Sequence, residues 1–111
     1  MIAHIVLLQP KPDLTEAQRA DAIATLRRSA AGLPDVRRLR FGRRVRHGLP
    51  GYEALMAQDF EFALIVEVDD VNALTRYLQA PAHVALGHLF YTASSAALAY
   101  DYTLEDVDVL S

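Results

Sequence analysis

Between Phe60 and Val68 the chain alternates without a break, with Phe60, Phe62, Leu64, Val66 and Val68 on one side and Glu61, Ala63, Ile65 and Glu67 on the other. A period of two sustained over such a run belongs to a strand with one side in a hydrophobic core. A strand of this kind needs paired neighbours and a second layer over its apolar side. The rest of the sequence therefore has to supply strands, and helices with one apolar stripe.

Three more strands can be read. Ile2 to Leu8 is rich in β-branched residues and leucine and stops at Pro10 and Pro12, which cannot continue a ladder. From Val36 to Val45, Leu39, Phe41 and Val45 alternate with Arg38, Arg40, Arg44 and Arg46. Ala97 to Thr103 is the last, followed by an acidic tail from Glu105 to Ser111. His47 to Gln58, with Gly48, Pro50 and Gly51 and no clear period, reads as a long hairpin loop.

Helices fill the gaps. Thr15 and Gln18 have the spacing of a capping box, and Ile23, Leu26, Ala30 and Leu33 follow as one stripe until Gly32 and Pro34 end the helix. Asp69 and Asp70 favour a second N-terminus, continued by Val71, Leu74, Tyr77 and Leu78. Pro81 suits the first position of a further helix, Ala82 to Tyr91.

The order is β-α-β-β-α-β, the ferredoxin-like α+β pattern with a four-stranded antiparallel sheet, read as one domain over residues 1–111. Both helical segments cover one sheet face, so the other, with Ala63, Ile65 and half of the first strand, is left bare. Monomers seldom expose contiguous apolar patches beyond roughly a few hundred Å². A homodimer through the open sheet face is expected, giving a dimeric α+β barrel. The arginines of the second strand would then lie opposite Glu61 and Glu67.

Composition removes several classes of function. Without cysteine there are no disulfides, thiolate nucleophiles or cysteine-ligated metals. A formal net charge of −3 argues against nucleic acid as a partner, and the arginine run reads more economically as a salt-bridged strand face. Phosphate loops and Gly-x-Ser-x-Gly elbows are missing. His83 and His88 are five apart and so on different helix faces, which gives no metal pair, and no cofactor is expected. The first apolar run is too short for a membrane span, and the protein is expected to be cytoplasmic.

The segment from Tyr77 to Val84 carries the most chemistry. A bend at Ala80-Pro81 lets the Tyr77 phenol and the His83 imidazole converge on one cavity, where a base facing a hydrogen-bond donor serves proton abstraction. In the first turn of its helix His83 would be kept neutral by the macrodipole, and Tyr77 would donate to a developing enolate. His4 joins them if the side of the first strand holding Ile2, His4 and Val6 faces the helices. The competing reading is that Tyr77 and His83 anchor a helix by bonding backbone carbonyls.

Met1 to Leu8, Leu14 to Gln18, Tyr77 to Gly87 and Tyr100-Asp101-Tyr102 together resemble the stress-responsive A/B barrel, or Dabb, domain family, with Pro81-Ala82-His83-Val84 the most distinctive element. The resemblance implies a dimeric α+β barrel. It also implies a choice, since some members are stable stress-induced oligomers without a defined reaction and others are cofactor-free polyketide cyclases. By analogy with a plant cyclase of the family, His83 would be the base, with Tyr77 and His4 as the other catalytic groups. Ile23 and Leu26 stand where that enzyme has aromatic pocket residues, and with Val6 they would line the pocket for a small carbonyl substrate. Aldol or Claisen cyclisation and a non-catalytic dimer both stay open.

Overall fold

The computed structural model describes residues 1–30 and 32–108. The elements are β1 (Ile2–Pro10), α1 (Glu16–Ala30), β2 (Arg38–Arg43), β3 (Phe62–Val68), α2 (Val71–Gln79), α3 (Pro81–Ala93) and β4 (Ser94–Thr103), with a 3₁₀ turn at Glu53–Leu55. The strands form one four-stranded sheet in the order β2-β3-β1-β4, every neighbouring pair antiparallel.

The strand that fixed the reading behaves as its alternation requires. Phe62, Leu64, Val66 and Val68 are buried, and Val66 and Val68 have no exposed surface at all. Phe60 and Glu61 precede the strand. On β1 the helix-facing side holds Ile2, His4, Val6 and Leu8, all buried. These residues meet Leu26, Leu33, Ala73, Tyr77 and Leu86 in one core.

Local signals set the helix ends. Thr15 N–H donates to Gln18 Oε1 at 2.9 Å while Gln18 N–H donates to Thr15 Oγ1 at 3.1 Å, closing the capping box. Within the stripe Leu26 and Leu33 are buried and Ile23 packs against the core, whereas the side chain of Ala30 lies outside the described residues. Asp70 caps α2, its carboxylate accepting from Ala73 N–H at 2.8 Å. Val71 is exposed and Ala73 takes the buried place in that first turn. Ala80, extended at φ −65° and ψ 139°, is the bend that separates α2 from α3.

Several boundaries differ from the sequence reading. β2 begins at Arg38 and not Val36, because Asp35 turns left-handed at φ 64°. It ends at Arg43, which leaves Val45 outside the sheet and exposed. β4 starts at Ser94, directly after α3, because the backbone of Ser94 to Ala96 pairs with the end of β1 across an irregularity at Gln9 and Pro10. Glu61 pairs with Arg19 of α1 at 2.6 Å instead of with a β2 arginine, while Glu67 does meet Arg40 at 3.6 Å. Of the tail, residues 109–111 lie outside the described residues.

All three helices lie on the face of His4 and Val66. The opposite face carries Ala3, Ile5 and Leu7 of β1, Ala63 and Ile65 of β3, and Leu98, Tyr100 and Tyr102 of β4, which the register sets side by side. Leu98, Tyr100 and Tyr102 are 41, 56 and 51% exposed.

Candidate functional site

His4, Tyr77 and His83 come together from three elements. β1 projects His4 toward the helices, the last turn of α2 carries Tyr77, and the bend at Ala80 swings the first turn of α3 back so that His83 faces both. Ring centroids lie 4.9 Å apart for Tyr77 and His83, 5.3 Å for His4 and Tyr77, and 5.8 Å for His4 and His83.

Hydrogen bonds assign protons to the two imidazoles. Nδ1 of His83 lies 3.1 Å from the carbonyl oxygen of Leu78, an atom that only accepts, so Nδ1 carries the proton. In the neutral ring Nε2 is then the basic nitrogen. Nδ1 of His4 lies 2.6 Å from Oδ1 of Asp101 on β4, so it too is a donor. His4 and Asp101 are register partners on adjacent strands, which fixes that contact through the sheet itself.

Environment separates the roles further. Burial and then the neighbouring charge of His4 lower the pKa of His83 below the ordinary 6.5, against a smaller opposing effect of the Leu78 carbonyl and Asp101. The sequence reading had the right direction but credited the helix dipole; desolvation is the leading cause. Burial and the Asp101 carboxylate push the Tyr77 phenol up to about 12, so it remains protonated.

A cleft of about 650 Å³ opens between α3 and β4, lined by His4, Val6, Leu78, His83 and Asp101 at one end and by Phe90 and Tyr91 at the other. Tyr77 is 1% exposed and is not part of the cleft wall; its ring backs the two imidazoles. Ile23 and Leu26 do not reach this cleft. They line a separate apolar pocket of about 40 Å³ with Leu8, Phe41 and Phe62, and Phe90 and Ser94 border both spaces. The expected substrate pocket is thus divided, with Val6 on the imidazole side.

Asp101 had no assigned role in the sequence reading. The signal available was a carboxylate on the last strand opposite a histidine on the first, which has meaning only once the register of β1 and β4 is known. His88 is exposed on another side of α3.

Solved structures share this architecture. A hydroxynitrile lyase from Passiflora edulis superimposes with a TM-score of 0.81 at 17% identity, covering 97% of this chain and 96% of that one. A dimeric ferredoxin-like protein of unknown function from Thermobifida fusca gives 0.72 at 23% identity over 93% and 90% of the two chains. A Dabb family protein from Mesorhizobium loti gives 0.74 at 20% identity over 95% and 97%. At these identities the likeness shows the fold. No curated protein matches the sequence. The family model of the stress responsive A/B barrel domain, Dabb, matches residues 2–104.

Proposed function

The chain belongs to the stress responsive A/B barrel (Dabb) domain family, and on that footing we propose that it is a homodimer whose cleft performs cofactor-free proton abstraction next to a carbonyl, as in aldol or Claisen cyclisation. The observation that carries this reading is the bond from His83 Nδ1 to the Leu78 carbonyl at 3.1 Å, which leaves a neutral, partly buried imidazole with Nε2 as its basic atom beside a second imidazole.

His83 Nε2 removes the proton on the carbon beside the substrate carbonyl, and the electron pair moves onto that carbonyl oxygen as an enolate. His4, held in place by Asp101, stands beside His83 and orients the substrate carbonyl. The enolate carbon attacks a second carbonyl of the same molecule; in an aldol closure the proton held by His83 passes to the new alkoxide, and in a Claisen closure that alkoxide collapses, the ester or thioester leaving group departs and takes the proton instead. Tyr77 acts by position, since its ring touches both imidazoles from the core side. A hydroxynitrile lyase on the same fold supports lyase chemistry as compatible with this scaffold.

Dimerisation is supported by the bare apolar sheet face and by neighbours described as dimeric. A non-catalytic, stress-associated dimer is the alternative reading, favoured by the fact that the same bond to Leu78 is what a helix anchor would make. Turnover of β-keto acids and short polyketide lactones by the wild type and His83→Ala decides between them. Loss of about 10²–10⁴-fold on substitution is expected. Turnover unchanged by His83→Ala removes the base assignment, and absence of both binding and turnover across the panel favours the structural dimer.

A further inference from the structure

The long loop between β2 and β3 shelters a hollow that the imidazole cleft does not reach. Its base is closed where Arg44 and Arg46 both pair with Asp59 and where Arg44 N–H donates to the Glu61 carbonyl at 2.8 Å. Gly48 and Gly51, at φ 71° and 77°, turn the chain back on itself, a conformation that suits residues without a Cβ. Backbone N–H groups of Tyr52, Leu55 and Met56 then donate to the carbonyls of Leu49, Tyr52 and Glu53 and hold the returning arm. Between this arm and the sheet lies a space of about 300 Å³, lined by Leu7, Arg44, His47, Tyr52, Glu53 and Met56 among others. Leu7 belongs to the open side of the sheet, so this hollow and the cleft of His4 and His83 are on opposite faces.

One polar atom in this lining is unsatisfied. Glu53 Oε1 is buried and has no hydrogen-bond partner among the described residues. Buried acceptors are nearly always paired, and leaving one bare costs stability, so the atom calls for a donor from outside the chain. The two guanidiniums nearby are turned to Asp59 instead. His47 and Tyr52 stand as an edge-to-face pair with ring centroids 4.9 Å apart. Leu49 N–H donates to His47 Nδ1 at 3.1 Å, so in the neutral ring Nε2 carries the proton and is a donor. The hollow thus joins one bare acceptor, donors from an imidazole and a phenol, and the apolar surfaces of Leu7, Met56 and Phe60.

We infer that this hollow is a second small-molecule site, for an uncharged aromatic ring carrying hydroxyl groups. One ligand hydroxyl donates to Glu53, and a neighbouring ligand oxygen accepts from His47 Nε2–H or from the Tyr52 hydroxyl. The ring lies against Leu7, Met56 and Phe60. A volume of about 300 Å³ is at the small end of ligand sites, which suits one ring and not an extended chain. Arg44 in the lining decides against an organic ammonium, because its guanidinium would face a like charge. The site is independent of the proton abstraction proposed for the imidazole cleft.

The test is isothermal titration calorimetry of the full chain with catechol under nitrogen, beside its dimethyl ether, veratrole, and beside benzylamine. Catechol should bind about tenfold or more tighter than veratrole, which has no donor for Glu53, and tighter than benzylamine. Glu53→Ala should weaken catechol binding about tenfold or more, whereas His83→Ala, on the other face, should leave it unchanged. Since Glu53 Oε1 has no partner to lose, Glu53→Ala should melt close to the wild type. Absence of catechol binding, or binding indifferent to Glu53→Ala or equalled by veratrole or benzylamine, overturns the site. A marked loss of thermal stability in Glu53→Ala would show that the carboxylate is already paired in the folded protein, and a shift of that variant toward monomer would show that a second copy supplies the donor; either overturns the inference. None of these outcomes bears on turnover in the cleft, which His83→Ala tests separately.

Discussion

Oδ1 of Asp101 lies 2.6 Å from Nδ1 of His4, across a strand pair whose residues are 97 apart in sequence. His4 is 4% exposed and is the one buried polar residue in the core among those described. Its orientation toward the cleft therefore depends on a carboxylate from the edge of the sheet.

Asp101→Ala is expected to lower stability by about 1 kcal/mol, the lower end of the cost of an orphaned buried donor, since the Asp101 side chain is about a third exposed and water can partly replace it. Asp101→Asn, which keeps an acceptor oxygen, should recover most of that loss in urea unfolding but not the activity. Equal activity of wild type and Asp101→Asn would show that the carboxylate charge has no part in the reaction.

The lowered pKa of His83 sets a pH dependence. Between its folded value and the ordinary 6.5 the unfolded chain binds more protons than the folded one. This group's contribution is thus fully favourable above 6.5 and is lost as pH falls through the folded pKa. The acid limb of turnover should also lie below 6.5, since the neutral ring is the base. Titration of the His83 ring by NMR would give both values, and a midpoint above 6.5 would contradict the site's electrostatics.

Thr15→Ala tests a feature written in the sequence. The hydroxyl satisfies the N–H of Gln18 at 3.1 Å, and its loss should cost about 1 kcal/mol with little change in the cleft, which α1 does not line. Thr15→Ser should be near neutral. A loss of turnover at unchanged stability would mean that α1 communicates with the imidazoles.

What could be read from the sequence was what depends on near neighbours. The capping box, the Asp70 cap and the alternation of β3 are local, and each formed as expected. The bend at Ala80-Pro81 was legible too, and with it the meeting of Tyr77 and His83. Asp101 was not, because its role follows from register. Nor was the partner of Glu61, since Arg19 arrives from a helix whose placement over the sheet no local pattern gives. The border between α3 and β4 was blurred because Ala93, Ser94 and Ser95 carry neither period. The depth of Tyr77 was hidden for a related reason: spacing put it on the buried side of α2 but could not say that two imidazoles stand between it and the cleft.

That depth makes Tyr77→Phe informative in two ways. The ring survives the change, so its contacts at 4.9 Å with His83 and 5.3 Å with His4 should persist, and a purely positional role predicts turnover close to wild type. A drop of about 10²-fold or more would show that the hydroxyl reaches the substrate oxygen as a donor. Stability gives a separate signal. With the phenol pushed from 10.0 up to about 12, the folded chain holds more protons than the unfolded one between those values, so stability falls as pH rises through that window. Tyr77→Phe has no such proton and should flatten the decline in thermal melts taken from pH 9 to about 12. If the variant and the wild type lost stability in parallel there, Tyr77 would be titrating as an exposed phenol does, and the buried cluster described here would not be its environment.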